Sequence, residues 1–281
     1  MKFSSPLLEK SRIFFIAIFI LFCGFQIFPQ DLPPIKLDYA SYAVASDGKY
    51  IGYYGEKNRI EVKSLDDISV YVIHSLIATE DREFYEHNGV SLKGLGRAIL
   101  KTITGSTQGG STITMQLARN LFLSNERTIS RKLTEIDLAK KLEEKFSKKE
   151  ILLLYLNTVY FGHGTYGIWA AAEEYFSKTS DKLTIDESAA LVGLLQSPNG
   201  YDPNKNPQKM LNRRNEVLYN LVEVGKLSKN DFNKLKKKDL NLNLHQKIAG
   251  HFLEQIRKDA IGILNPMGKT LSADQIKIST T

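Results

Sequence analysis

The sequence predicts a mainly α-helical protein with a short β segment near its start. Apolar residues recur with helical periodicity from Leu65 to about Lys258, which is typical of packed amphipathic helices. Before that point, residues 29–64 alternate aromatic and β-branched side chains around an Asp47-Gly48 turn, a pattern typical of a hairpin or stalk. A third feature, an uncharged apolar run at 13–28, predicts a membrane segment ahead of both.

The composition is that of a folded protein with an anionic partner. The 281 residues fit one large domain or two small ones. Charged residues make up 25% and aromatic residues 10%, which excludes a disordered or collagen-like chain. A single cysteine excludes an intramolecular disulfide framework and a cysteine-based zinc cluster. The net charge of +7 favours nucleic acid, phospholipid or a phosphorylated substrate as the partner.

The apolar run Ile13–Phe28 predicts an uncleaved transmembrane signal anchor. Its sixteen residues would form a helix of roughly 24 Å, slightly shorter than a hydrocarbon core of about 30 Å. Lys2, Lys10 and Arg12 precede the run and place a tail at residues 1–12 in the cytoplasm. The sequence after the run, FPQDLPP, lacks the small residues of a signal-peptidase site. The rest of the chain is therefore expected outside the cytoplasm, which argues against a nucleic-acid partner.

Nine helices are expected in a domain spanning residues 65–262, which a C-terminal segment at 263–281 follows. Apolar spacing places these helices at Ser69–Glu83, Ser91–Thr102, Thr112–Leu123, Asn125–Phe146, Lys149–Val159, Gly167–Phe176, Ile185–Leu195, Pro207–Val224 and Gln246–Ile261. Stretches rich in glycine, proline and polar residues indicate loops between them, at 105–110, 161–167 and 197–207.

The predicted helix at 125–146 has an apolar stripe and an opposite charged arc. The stripe consists of Ile129, Leu133 and Ile136. The arc consists of Arg127, Arg131 and Glu135. By itself, this arc fits a solvent-exposed face with an i,i+4 ion pair as well as the cationic part of a site, and the helix geometry leaves both open.

The segment ATEDREFYEHNGV at 78–90 packs acidic residues and His87 around two aromatic side chains. A carboxylate beside apolar groups can act as a general base, which makes Glu80 a candidate. The alternative is an acidic helix end before an Asn88-Gly89 turn. Downstream, QGGSTITMQ at 108–116 places glycines and hydroxyls at a helix start, which suits phosphate oxygens, although Ser111 or Thr112 can equally serve as an N-cap.

Three other patterns fail on context. GHGTYG at 162–167 matches a dinucleotide-binding fingerprint, but it follows a helical pattern and lacks the neighbouring parallel strands. Residues 46–49 match S-x-x-K, but no K-T-G follows, and Asp47-Gly48 indicates a turn. The five histidines lack the spacing of metal ligands.

Taken together and in order, these segments resemble the motifs of glycosyltransferase family 51, the peptidoglycan polymerase domain of class A penicillin-binding proteins and of monofunctional transglycosylases. The resemblance runs from about Asp38 to the C-terminus. Five motifs carry it: ATEDREFYEHNGV, GGSTITMQLARN, RKLTE at 131–135, KKEILLLYLN at 148–157 and GIWAAAEEYFSK at 167–178. Met115, Trp169 and Ser177 depart from the commoner residues of the family, which are glutamine, an acidic residue and glycine.

The resemblance implies a lysozyme-like transglycosylase domain that polymerises lipid II into β-1,4 glycan strands with inversion and release of undecaprenyl diphosphate. Glu80 matches the family's base, and Glu135 matches its second glutamate. The substrate-binding positions are Ser111, Thr112, Gln116, Arg119, Arg127, Arg131 and Lys132. The supporting positions are Asp81, Phe84, His87 and Asn157.

The same resemblance sets the expected partners and location. The partners are lipid II and the growing glycan chain, the cytoplasmic membrane and the cell-wall synthesis machinery. The location is the bacterial cytoplasmic (inner) membrane, crossed once, with an extracytoplasmic domain. The resemblance implies no certain cofactor and allows a divalent cation (Mg²⁺ or Mn²⁺) at the diphosphate. Two alternatives stay open at this point: a lysozyme-like lytic glycan hydrolase and a non-catalytic cell-wall binding module.

Overall fold

The computed structural model describes residues 31–91, 94, 110–123, 128–244, 250–271 and 275–280. The expected anchor at 13–28, most of the expected helix at 91–102 and the candidate Arg127 therefore lie outside the described residues. Within them the chain is mainly helical, as the periodicity predicts.

Nine α-helices lie within the described ranges. They are α1 (Val70–Glu80), α2 (Ile113–Phe122), α3 (Ile129–Lys145), α4 (Lys148–Thr158), α5 (Ile168–Phe176), α6 (Ile185–Leu194), α7 (Pro207–Glu223), α8 (Lys229–Leu235) and α9 (Gly250–Leu264). Hydroxyl side chains cap several of them, and two, at Ser147 and Thr184, form reciprocal capping boxes with a glutamate three residues later. All the helices expected outside 91–102 are confirmed to within a few residues at each end, and the short helix α8 was not expected.

Among the described residues, six short strands form two three-stranded sheets. They are β1 (Ser41–Val44), β2 (Tyr50–Tyr54), β3 (Asn58–Arg59), β4 (Tyr160–Gly162), β5 (Thr165–Tyr166) and β6 (Lys277–Ser279). The first sheet has the order β2-β1-β6, and its antiparallel β1–β2 pair confirms the hairpin predicted around Asp47-Gly48. The second sheet has the order β3-β5-β4, and its strands β4 and β5 lie in the segment that the sequence indicated to be a loop.

Most buried side chains belong to one core that the helices share. Leu76 of α1, Leu117 of α2, Leu142 of α3 and Leu191 of α6 are all at most 1% exposed. Helix α6 is buried along nearly its whole length and packs between α1 and α7. A separate, smaller cluster joins Ala43 and Ile51 to Ile256 of α9, so that helix covers the first sheet.

Helix α3 buries a different face from the one predicted. Leu133, expected in the apolar stripe, is 47% exposed, whereas Glu135 is 0% exposed. The buried face follows the i, i+3, i+4, i+7 series through Glu135, Leu138, Ala139 and Leu142. The prediction was wrong because it assigned the charged position to the outer arc, although this carboxylate has partners that stabilise it inside.

The end of α4 is held to the chain that leads into α1. The Asn157 side chain donates to the carbonyl of Val62 at 2.9 Å and accepts from its amide at 2.8 Å. Both residues are buried. Because one side chain satisfies two buried backbone groups, Asn157 fixes the segment that leads into α1.

Helix α5 contacts the β1–β2 hairpin through an aromatic cluster and a buried carboxyl group. The Trp169 ring lies 5.1 Å from Tyr42 and 5.4 Å from Tyr50. Glu173, one turn further along α5, is 8% exposed. Burial raises the pKa of the Glu173 carboxyl to about 7 from the ordinary value of 4.5. Trp169 therefore packs structurally at the position where the family more often carries an acidic residue.

Replacing Glu173 with glutamine is expected to stabilise the protein at pH 8 and to change little at pH 5. Between its unfolded pKa near 4.5 and its folded pKa of about 7, the native state binds more protons, so its stability falls as pH rises through this window. At pH 8 the substitution should raise the free energy of unfolding by about 2 kcal/mol. Equilibrium denaturation at both pH values measures this difference. The exposed Glu216→Gln substitution is the control. An identical stability difference for Glu173→Gln at both pH values would contradict the prediction.

Candidate active site

Glu80 ends α1, where its carboxylate meets side chains from two other helices. The Gln116 amide, on α2, donates to Oε2 of Glu80 at 2.9 Å. The hydroxyl of Tyr155, on α4, donates to Oε1 of Gln116 at 2.9 Å. Glu80 and Gln116 are half-buried, whereas Tyr155 is fully buried. The candidate base is thus at the accessible end of a hydrogen-bonded series that starts in the core.

The next residue, Asp81, links the end of α1 to the start of α2. Its carboxylate accepts from Nε2 of His87 at 2.9 Å and from the amide of Ile113 at 3.0 Å. The other ring nitrogen of His87 accepts from the amide of Gly89 at 3.2 Å, so these partners fit a neutral imidazole that carries its proton on Nε2. Asp81 and His87 therefore tie the chain that follows the candidate base to the start of α2.

Phe84 and Gly89 complete this brace by packing. Phe84 is fully buried, and the ammonium group of Lys148 lies 4.5 Å from its ring centroid. Lys148 also donates to the carbonyl of His87 at 2.6 Å. Gly89 has φ of +88°, and a Cβ there would lie 2.9 Å from the backbone of Ala139, so only glycine allows α3 to approach this closely.

Thr112 and Ser111, which precede α2, have different roles. Thr112 is the N-cap: its hydroxyl accepts from the amide of Met115 at 3.1 Å and donates to the carbonyl of Gly89 at 2.6 Å. The residue is 3% exposed, and these two bonds favour a structural role for it. The Ser111 hydroxyl instead accepts from Nζ of Lys132, on α3, at 2.7 Å.

Glu135 is fully buried between two cationic side chains of its own helix. Lys132 donates to its Oε1 at 2.7 Å, and Arg131 donates to its Oε2 at 3.1 Å. The Arg131 side chain is 16% exposed and that of Lys132 36%, so both cations reach from the buried carboxylate toward solvent. The Nε of Arg131 is buried without a hydrogen-bond partner among the described residues. These contacts contradict a solvent-exposed position for Glu135.

The segment 111–116 joins the two glutamates. At its start Ser111 accepts from Lys132, which also binds Glu135, and at its end Gln116 donates to Glu80. One short segment therefore contacts both the candidate base and a cation anchored by Glu135.

Two further candidates have less direct placements. Arg119 is half-buried in the last turn of α2, close enough to Tyr155 for its charge to lower the pKa of that phenol. Burial and the charge of Glu80 outweigh it, and they raise the pKa of Tyr155 well above 10. Asn157 lies with its side chain on Val62 and is not joined to the two glutamates by any hydrogen bond of the described residues.

Tyr155 is the residue of this site that the sequence did not indicate. It belongs to the segment KKEILLLYLN, where its apolar neighbours make it indistinguishable from an ordinary core aromatic. Glu143 is a second omission, since it accepts from Lys148 at 2.7 Å and from Thr114 at 2.6 Å. Only the three-dimensional packing of α2, α3 and α4 reveals either contact.

The described part of the chain contains neither a metal-binding cluster nor a membrane-spanning helix. No group of three or more histidine, cysteine, aspartate or glutamate side chains is placed there to hold a metal ion. No helix in that part of the chain combines the length and apolarity needed to cross a bilayer.

Comparisons with known proteins identify the family. The family model described as Transglycosylase matches residues 47–222. Penicillin-binding protein 1A of Escherichia coli (strain K12) is 39% identical over 256 residues, which are 89% of this chain and 30% of that protein. Penicillin-binding protein 1A of Aquifex aeolicus is 37% identical over 278 residues, which are 94% of this chain and 38% of that protein.

A solved structure also matches. The crystal structure of penicillin-binding protein 1A from Haemophilus influenzae aligns with 85% of this chain and 26% of its own, at 22% identity and a TM-score of 0.45. The chain spans about a third of the length of the curated relatives named above. The Transglycosylase match covers more than half of the chain and includes both glutamates. The chain therefore belongs to the transglycosylase family, the peptidoglycan glycosyltransferases of family 51.

Proposed function

We propose that this chain polymerises lipid II into β-1,4-linked glycan strands and releases undecaprenyl diphosphate. The observation that supports this most is that the segment at the start of α2 contacts the surroundings of two glutamates with different environments. Glu80 is half-buried with one neutral amide donor, whereas Glu135 is fully buried against two cations. Such a pair fits a reaction that removes a proton at one point and stabilises an anionic leaving group at another.

The acceptor sugar supplies a hydroxyl group, which is a weak nucleophile. In the proposed step the 4-hydroxyl oxygen forms the bond to the anomeric carbon of the donor, and its proton goes to the carboxylate of Glu80. One oxygen of that carboxylate is bound by Gln116, and the second, Oε1, has no hydrogen bond within the described part of the chain. Oε1 is therefore the atom that we assign as proton acceptor.

The donor loses a lipid diphosphate, whose oxygens take the electron pair of the broken bond. A diphosphate leaves as an anion and needs cations, not a proton donor. Arg131 and Lys132 supply these charges, and the resemblance adds Arg119 and Arg127. Because the acceptor attacks from the face opposite the diphosphate, an α-linked donor gives a β-linked product.

Glu135 orients the cations in this proposal. Its carboxylate neutralises part of their charge and fixes their head groups, while Ser111 holds Lys132 from the other side. A divalent cation fits poorly beside Arg131 and Lys132, since both repel it. If the reaction uses Mg²⁺ or Mn²⁺, we expect the ion to enter bound to the diphosphate.

The location and partners follow from the substrate. A lipid-linked donor is met at a bilayer surface, so we propose that residues 13–28 anchor the chain and that residues 65–262 form an extracytoplasmic, lysozyme-like domain. The β segment at 29–64 would then act as the stalk. The growing glycan chain and the cell-wall synthesis machinery are the partners that we expect there.

Gel analysis of fluorescent lipid II incubated with the purified chain in detergent tests this proposal. We expect a ladder of glycan products and no cleavage of preformed glycan. Cleavage of preformed glycan without a ladder would instead support the lytic hydrolase, although the two cations at Glu135 offer a glycan hydrolase no evident advantage. Binding of lipid II without either reaction would support the binding module.

A further inference from the structure

We propose that Tyr155 is a positioning residue of the transferase reaction, which acts on Glu80 through the side chain of Gln116. This inference rests on the proposed function, because it assigns a role in the same proton transfer. Two hydrogen bonds carry it: Tyr155 to Oε1 of Gln116, and the Gln116 amide nitrogen to Oε2 of Glu80, each 2.9 Å.

The chemistry of the three groups permits one arrangement. An ionised carboxylate can only accept, so Gln116 must turn its NH₂ group toward Glu80. The amide oxygen then faces Tyr155, whose hydroxyl must donate. Burial together with the charge of Glu80 raises the pKa of Tyr155 well above 10, which keeps this donor proton in place at any working pH.

The position of Tyr155 makes it a rigid support. It is 0% exposed and lies in α4 among the fully buried Ile151, Leu152 and Leu156. Two residues later, Asn157 binds the backbone of Val62 ahead of α1. Helix α4 thus fixes both the approach to α1 and, through Gln116, the carboxylate at the end of α1.

Loss of the Tyr155 hydroxyl should release the Gln116 amide without removing it. The amide can then rotate, and its oxygen would repel Glu80 in the flipped state. The carboxylate then spends less time with Oε1 directed at the acceptor hydroxyl. Since displacement of a catalytic group by about 1 Å costs up to about 100-fold in rate, we expect Tyr155→Phe to reduce kcat about 10-fold or more.

A double-substitution cycle separates this role from a structural one. The variants are Tyr155→Phe, Gln116→Leu and the two combined, with kcat, KM for lipid II and Tm measured for each. If Tyr155 acts through Gln116, kcat of the double variant should equal that of Gln116→Leu, because nothing remains to be positioned. Tyr155→Phe should keep KM within about 2-fold of wild type, since the phenol does not touch substrate.

Tyr175→Phe is the matched control. Tyr175 is 1% exposed, and its hydroxyl donates to the carbonyl of Phe161 at 2.9 Å, so its loss removes a comparable buried bond elsewhere. We expect this variant to lower Tm about as much as Tyr155→Phe and to keep wild-type kcat. Full kcat in Tyr155→Phe, or losses that multiply in the double variant, would overturn the proposal.

A measurement that does not depend on enzymatic turnover tests this inference separately from the proposed function. In NMR spectra of the full chain, the Gln116 side-chain amide protons should exchange with solvent slowly in wild type and faster in Tyr155→Phe. Were wild type to make no glycan, the proposed function would fail while this exchange still tested the positioning. Equal exchange in both proteins would show that Tyr155 does not hold the amide.

Discussion

Replacing Glu80 with glutamine is expected to reduce kcat for glycan polymerisation about 1,000-fold while leaving the fold intact. A general base typically contributes 100- to 10,000-fold, and glutamine keeps the shape of the side chain but cannot accept the proton. The gel assay with lipid II measures turnover, and thermal unfolding measures stability. Glu80 is half-buried at a helix end, so the substitution should change Tm by only a few degrees.

Glu86→Gln provides the control for this prediction. Glu86 is an exposed glutamate of the same motif, six residues further along, and its substitution removes the same charge. We expect wild-type polymerisation from it. If Glu80→Gln polymerises as fast as Glu86→Gln, then Glu80 is not the base and the assignment of the proton acceptor is wrong.

Replacing Glu135 with glutamine is expected to lower kcat about 100-fold for a different reason. The neutral amide cannot hold Arg131 and Lys132 as the carboxylate does, so the two head groups lose their fixed positions at the leaving group. The site also becomes more positive by one charge, so KM for lipid II should not rise. A fall in kcat without a rise in KM, from initial rates over a range of lipid II concentrations, is the expected signature.

Stability offers a second measurement for the same variant. Because Glu135→Gln removes two charge-assisted hydrogen bonds of a fully buried carboxylate, it should lower the free energy of unfolding by about 2 kcal/mol. The loss is smaller than for a completely buried ion pair because both cations reach solvent. Glu144→Gln, an exposed change on the same helix, is the control. Unchanged turnover in Glu135→Gln would mean that orientation of the cations does not limit the reaction.

The helices were predictable because their signals are local. Apolar periodicity and hydroxyl caps fixed α2, α4 and α6 to within two residues at each end. The short strands β4 and β5 were not predictable, because two or three residues in a glycine-rich segment show no alternation of apolar and polar side chains. Strand β6 pairs with β1 across more than 230 residues, a contact that no local pattern indicates.

The site was predictable in its residue types and not in its contacts. The motifs placed Glu80, Asp81 and Glu135 in one site, but periodicity placed Glu135 opposite the apolar stripe, although its face of α3 is the buried one. The error for Tyr155 was the opposite one, because a tyrosine among leucines is typical of core packing and gives no sign of a polar role. Both errors have one cause: hydrogen-bond partners from other helices decide whether a polar group is buried and used.

The contacts of α1 also bear on when the helix that carries Glu80 is fully held in place during synthesis. Asn157 binds the backbone of Val62, just before α1. Ser69, the N-cap of α1, donates to the carbonyl of Leu183, and Thr79, near the end of α1, accepts from Asn220. These partners are between 95 and 141 residues further along. Contacts of such separation form late in folding because the intervening loop must close first. A growing chain therefore completes these contacts of α1 only after α7 has emerged.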